Sequence, residues 1–303
     1  MPLTKVTLPN GALFNTADTF LGAGNLFSTG TVYFVSSGTG SNDNNGTDPS
    51  TPKSSIAGAQ SAATASKSDI VVILPGHSET LTTGITLSKA GVNYVGLGQG
   101  LLRPSLQTGA AIDTVSITAA NVTLQNINFP FTTVDDATAY VNVAAAGTTL
   151  RGLRMIGSTT SINVTDMITV ASGGDDLLVE DCYAYNTVTD CVSWLSLEAA
   201  VARPIIRGNV IQGQFSTGVL MDEATATLAT ISHNIFKNTK AATAVVTFTT
   251  GNSTGVMSFN HLSGRHTTLA SNFVPGTGMD VFENRVVEEA ALNGAIEPAA
   301  DTN

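Results

Sequence analysis

The sequence predicts an all-β protein, a single-stranded right-handed parallel β-helix of about nine coils with an N-terminal arm and a capping helix. Three observations carry that prediction. Short apolar segments recur about every 26 residues, their apolar residues alternate with small polar ones, and asparagine returns at one slot of the last repeats. Composition agrees: only 12% of the 303 residues are charged, and Thr, Ser, Ala, Asn and Gly fill the space between Val and Ile. That mixture suits strands and turns better than helices.

Residues 1–30 form the arm and show no repeat. Phe14, Phe20 and Phe27 stand there with Leu13, Leu21 and Leu26 among Gly, Asn and Ser. Apolar anchors on a glycine-broken segment suit docking onto another surface, where aromatics dominate binding energy. They equally suit packing back onto the chain's own coils.

Residues 31–69 lead into the coils through a strand at Val32–Ser36 and then a turn, GSNDNNGTDPSTP (Gly40 to Pro52). Ser41, Asp43, Asn45 and Gly46 match the first half of an EF-hand loop, but the position that needs a bidentate Glu is Pro52. The stretch reads as a turn, with Pro49 and Pro52 ending strand pairing. Lys53 to Asp69 follows as a short amphipathic helix capped by Ser54 or Ser55, with Ile56, Ala59 and Ala63 on one face. Such a helix covers the open strand edge of the first coil.

Residues 70–290 hold the repeat. Anchors at Leu124, Leu150, Val179, Ile206, Ile231, Met257 and Val281 are spaced 26, 29, 27, 25, 26 and 24 apart. Five residues after them stand Phe129, Met155, Ala184, Ile211, Phe236, Leu262 and Val286. A second apolar pair precedes each of the first six anchors: Val115 and Ile117, Val141 and Val143, Ile168 and Val170, Leu195 and Leu197, Val219 and Met221, Val246 and Phe248. The pattern extends back to Val95 and Val72. A unit this small cannot bury its own apolar face, so it stacks on its neighbours. Crossover chirality makes the winding right-handed. Asn209, Asn234, Asn260 and Asn284 share a slot where stacked side-chain amides can bond along the axis. Cys182, Leu153 and Ile127 occupy it in earlier coils, which makes Cys182 a packing residue. Residues 291–303 form a tail.

Composition also excludes functions. A net charge of −10 with 13 Lys plus Arg leaves no basic stripe, so nucleic acid is not a partner and an anionic polysaccharide is repelled at long range. Cys182 and Cys191 read as free thiols. The N-terminus lacks a signal-peptide pattern and no apolar run reaches 18 residues, so the expectation is synthesis in a cytoplasm with no membrane partner.

The run from Thr31 to Glu79, with its strand, Gly/Asp/Asn-rich turn, Pro, capping helix and first coil ending in Pro-Gly, resembles the N-terminal portion of pectin lyase-like β-helix proteins. The resemblance extends over residues 31–290. That fold hosts lyases, hydrolases, tailspikes and structural virion proteins alike. Among them, the missing export signal, the short polar coils and the arm are most similar to β-helical structural proteins of tailed bacteriophages. The resemblance implies a capsid cement or decoration protein on the virion exterior, a homotrimer that grips the major capsid protein through its arm, with no cofactor. Its alternative is a tailspike-like receptor-binding protein or polysaccharide depolymerase.

For that alternative, Asp166 and Asp190 precede the strand of consecutive coils by two residues, with Asp113 in the same column. Stacking would set the carboxyls about 5 Å apart, the spacing of a retaining glycosidase; Asp is equally a solvated turn residue. Of the polygalacturonase-like motifs only Gly174-Asp175-Asp176 is present. Asp175, Asp176, Glu180 and Asp181 cluster near Arg151 or Arg207 without matching calcium-dependent lyase motifs. His77, His233, His261 and His266 lack metal-ligand spacing, the pairs Asp135-Asp136, Asp222-Glu223 and Glu288-Glu289 read as solvated loops, and Trp194 has no column of aromatics beside it.

Overall fold

The computed structural model describes residues 6–7, 13–14, 30–131, 137–157, 164–187, 191–248, 252–265 and 269–288. Three parallel sheets of ten, nine and eight strands form a β-solenoid of about eight turns, close to the predicted coil count. Each coil visits them in that order, as in Ile205–Arg207, Val210–Gly213 and Leu220–Asp222.

Register follows the apolar repeat. The anchors pair in sequence from Leu124 to Val281 in the ten-stranded sheet, and the residues five further on pair from Phe129 to Val286 in the nine-stranded sheet. Both columns lie in one continuous core. Two assignments slip by one residue. Tyr94 rather than Val95 pairs with Leu124, because Val95 faces outward into a second apolar cluster with Phe34, Ile70 and Val72. Leu195 and Leu197 pair with Leu220 and Asp222, not with Val219 and Met221. Where a strand is apolar on both sides, alternation no longer specifies the register. Asp222 is consequently buried, with Ser253 Oγ donating to its Oδ2 at 2.7 Å, so it is not the solvated loop residue expected.

The solenoid also starts earlier than residue 70. Val32–Val35 already pairs with Ile70–Ile73, so the turn and the helix are inserted within the first coil. Asn42 organises the turn: its Oδ1 accepts from Ser54 N at 3.2 Å and its Nδ2 donates to Ser55 Oγ at 3.0 Å. The helix is short, Ile56–Ala62, with Ser55 Oγ accepting from Gly58 N at 3.1 Å as its cap. Its buried Ile56 and Ala59, with Ala63, join the main core. His77 is tied down between Ser37 N and Glu79 Oε1, at 2.9 and 2.8 Å.

In the arm, Val6–Thr7 pairs antiparallel with Leu13–Phe14. Phe20, Leu21, Leu26 and Phe27 lie outside the described residues, as does the tail.

The corner between the ten- and nine-stranded sheets carries the asparagines. Asn209 Nδ2 donates to Asn234 Oδ1, Asn234 Nδ2 to Asn260 Oδ1 and Asn260 Nδ2 to Asn284 Oδ1, at 2.9, 2.9 and 2.8 Å. Each Oδ1 also accepts the backbone N–H of the asparagine one coil earlier, and Asn209 Oδ1 accepts from Cys182 N. The residue before the slot takes a left-handed φ in these coils: Asp181, Gly208, His233, Phe259 and Glu283. Cys182 and Cys191 are both free and buried, and burial pushes the Cys182 thiol up to about 12.

Candidate acid site on the outer face of the eight-stranded sheet

Strands Asp113–Ile117, Ala137–Val143, Val164–Val170 and Ser193–Leu197 stack in the eight-stranded sheet. Two consecutive residues of three of them, Tyr140–Val141, Met167–Ile168 and Trp194–Leu195, belong to the core. Strict alternation therefore breaks, and the residue before each pair, Ala139, Asp166 or Ser193, lies outside that core cluster though still buried. The register aligns Asp113, Ala139, Asp166 and Ser193 in that column. A second outward column holds Ser116, Asn142, Thr169 and Ser196. Trp194 leans on Phe236 at 5.6 Å inside the coil and is no sugar platform.

Asp166 does not stack on Asp190. Its partner one coil on is Ser193, three residues later than the sequence reading placed the rung, and Asp190 itself lies outside the described residues. Ile168 pairs with Leu195 and Val170 with Leu197, as the apolar repeat has them, so the rung opposite Asp166 falls on Ser193 and not on a residue counted from Val192. The column mate of like charge is Asp113, two coils away with Ala139 between them.

Asp166 is 7% exposed and accepts from Ser193 Oγ at 2.6 Å. Burial raises its carboxyl to about 6; the Ser193 bond opposes this, and the charges of Glu198 and Glu223 add to it. Glu198 is raised too, first by burial, then by Glu223 and Asp113. Asp166 thus feels Glu198 and Glu223, and Glu198 feels Glu223 and Asp113. Asn142 Nδ2 donates to Asp113 Oδ2 at 2.7 Å, while Asp113 Oδ1, Asn142 Oδ1 and Ser196 Oγ are buried with no hydrogen-bond partner. Buried polar atoms are seldom left so, because an unmade hydrogen bond costs about 1–3 kcal/mol. Such a face can accept hydrogen bonds from a bound polar molecule, and Asp166 can hold or release a proton near neutral pH.

The other acidic cluster is spread out and paired. Glu180 is bridged by Arg151 and Arg207, with Nε to carboxyl distances of 2.5 and 2.9 Å. Burial would raise Glu180, but the bonds from Arg207 and Arg151 outweigh it and hold the carboxyl below its usual range. Asp176 takes two bonds from Arg203 at 2.6 and 2.8 Å, and Asp175 accepts from Ala202 N at 2.7 Å. Among the described residues no group of three His, Cys, Asp or Glu side chains is arranged to hold a metal ion.

Sequence reasoning missed Ser193, Asn142 and Ser196, since no motif marks them. The one usable signal was the run of adjacent apolar residues in each strand.

No protein-family model matches the sequence, and no curated protein matches it either. Solved structures that resemble the fold include a GH136 lacto-N-biosidase from Eubacterium ramulus, 10% identical over 85% of this chain and 68% of that one, with a TM-score of 0.43. A rhamnogalacturonan lyase is 12% identical over 89% of both chains, with a TM-score of 0.40. A pectate lyase is 11% identical over 85% of this chain and 77% of its own, with a TM-score of 0.40. Likeness this distant transfers no activity, because one fold carries many chemistries.

Proposed function

We propose that the chain binds and hydrolyses a neutral glycan on the outer face of the eight-stranded sheet, with Asp166 as the proton donor. One observation carries the reading: a buried carboxyl, bonded to Ser193 and raised to about 6, lies outside the main core on strands that stack with others holding buried acceptors that have no protein partner. In this reading Asp166 protonates the glycosidic oxygen as the bond to the anomeric carbon breaks. Asp113 takes a proton from the attacking water. Two rungs place their Cα atoms about 10 Å apart. If the two side chains run parallel from the sheet, their carboxyl groups keep that separation, nearer the roughly 6.5–9.5 Å of inverting carboxylate pairs than the spacing of retaining ones. A net charge of −10 favours a neutral polymer over an acidic one.

The test is incubation with a panel of neutral bacterial-surface polysaccharides, following reducing ends and the anomer first released. Cleavage with inversion, lost in Asp166→Asn while the fold is retained, is the expected result. Unchanged cleavage by that variant, or no binding and no cleavage by the intact protein, sinks the proposal.

A second reading, a bacteriophage capsid-decoration protein that trimerises on the major capsid protein, is favoured by an exposed apolar ridge. Phe259 and Phe282 are each 47% exposed and Ile235 49%, with His233 stacked on Phe259 at 5.1 Å. Together with the Phe-rich arm, such a ridge suits contact between proteins. A chain that sediments as a monomer and fails to bind capsids, with or without residues 1–30, removes this reading.

A further inference from the structure

A concave feature lies at the corner between the ten- and nine-stranded sheets, the corner that carries the asparagines in later coils. In seven successive coils, from Gln125–Asn128 to Phe282–Arg285, two residues join the ten-stranded sheet to the nine-stranded one. Between Gly96 and Ser105 the connection is eight residues long, 97–104, with a short 3-10 turn at Gly100–Leu102. This insertion is firmly tethered. Asn126 Nδ2 donates to the carbonyls of Gly96 and Gly98 at 2.7 and 3.0 Å, and Gly76 N donates to Leu102 O at 2.8 Å. Gly98 sits at φ +99, where a Cβ would stand 2.5 Å from Leu102 O, so only glycine lets the loop close this tightly.

The insertion walls a groove of about 530 Å³, lined by Gln99, Arg103, Gln125, Arg151, Asp181 and Tyr183 among others. Arg103 and Arg151 line it with Asp181, while Arg154 stands beside it at the Tyr183 ring and Arg207 beside it on Glu180: four arginines against two carboxylates, an excess of two positive charges on a protein of net charge −10. Arg151 and Arg207 are held by Glu180. Arg103 and Arg154 have no carboxylate partner among the described residues. Arg103 Nη1 donates to Gly152 O at 3.2 Å, while Arg154 donates to Asn128 Oδ1 at 3.0 Å and lies 6.0 Å from the centre of the Tyr183 ring. Burial, and then the nearby charge of Arg154, holds Arg103 below its usual range.

We propose that this groove binds an oxyanion, a sulfate, phosphate or carboxylate carried on a small polar molecule, between Arg103 and Arg154. Guanidinium groups that are crowded together yet lack acidic partners gain most from a multiply bonded anion. The amides of Gln99 and Gln125 would meet its hydroxyls, and the Tyr183 ring its apolar edge. The local excess of arginine reverses, at this one place, the repulsion that the net charge implies. The site is separate from the Asp166 face and stands whether or not that face cleaves glycans.

The test titrates the full chain with sodium sulfate, inorganic phosphate, glucuronate and glucose, following arginine Nε–Hε signals by NMR. A saturable shift with at least one anion, weakened about tenfold or more in Arg103→Gln and in Arg154→Gln but unchanged in Arg203→Gln, is expected. The preferred anion identifies the ligand class. Should Arg103→Gln unfold, Arg154→Gln, whose side chain is exposed, carries the test alone. Three results overturn the proposal: no saturable shift with any anion, equal binding by wild type and Arg154→Gln, or glucose binding as tightly as the anions.

Discussion

Two asparagines in the same solenoid show how differently its regions are finished. At the laddered corner, Asn234 Nδ2 donates to Ile206 O and Asn260 Oδ1, and its Oδ1 accepts from Asn209 N and Nδ2. On the outer face of the eight-stranded sheet, Asn142 donates once to Asp113, and its buried Oδ1 has no partner. The corner repeats a two-residue connection coil after coil, so each amide meets its copy one rung away. The acid face adjoins connections of six or seven residues between strands such as Asn128–Phe129 and Ala137–Val143, or Tyr183–Asn186 and Ser193–Leu197. Unlike side chains then meet across rungs, and some polar atoms are left over. A fixed connection favours complete pairing; a variable one leaves groups free for a ligand.

Breaking the corner has the largest expected effect. Asn234→Ala removes the partner of the Asn209 backbone N–H, of one Asn209 Nδ2 hydrogen and of the Ile206 carbonyl, so urea unfolding should show a loss of about 4 kcal/mol. A loss below about 1 kcal/mol would mean that the ladder does not hold this corner.

The acid face should behave oppositely. Asp166 is raised from 3.8 to about 6, so the folded chain binds its proton more tightly than the unfolded chain does. Its stabilising contribution is complete below pH 3.8 and is lost as pH rises through about 6. Asp166→Asn should therefore raise stability at pH 8 by on the order of 2–3 kcal/mol relative to wild type, with the gain vanishing near pH 3. Thermal melts across that range check it, and a gain independent of pH would refute the assignment.

A smaller effect returns to the corner. Gly208 has φ +67, and a Cβ there would stand 2.8 Å from Asp181 Oδ1, so Gly208→Ala should cost about 1–2 kcal/mol. The smallest change in stability sharpens the contrast. Ser196→Ala removes a hydroxyl with no partner and should shift the unfolding midpoint by less than about 0.5 kcal/mol. It should nonetheless weaken glycan binding at the Asp166 face, as titration calorimetry would read.

Much of the fold was legible beforehand. The seven anchors, the residues five beyond them and the capping helix with Ser55 were readable because each rests on a local pattern. Two registers were misplaced by a residue, at Val95 and at Val219–Met221, where adjacent apolar residues satisfy either face. The rung against Asp166 was misplaced by three residues, Asp190 for Ser193, because Asp190 was counted from Val192 although Ile168 pairs with Leu195. The sequence also did not show that Phe259 meets His233 and Phe282 across the coils, since Phe282 pairs with Ser258 and stands out of register with the other two. That contact was hidden because Phe282 ends a strand while His233 and Phe259 take the left-handed position just before the asparagine slot.

By itself the sequence determined the winding. Period-two alternation inside a repeat of about 26 residues can bury its apolar side only by stacking coil on coil. It also determined the asparagine corner, because that slot recurs at nearly constant spacing. Only the tertiary structure decided which polar side chains became neighbours. Residues some 27 positions apart in sequence meet about 4.8 Å apart across a rung, and one extra inward residue or one eight-residue corner reassigns every partner along it. Asp166 beside Ser193, and Arg103 beside Arg154, are products of that reassignment.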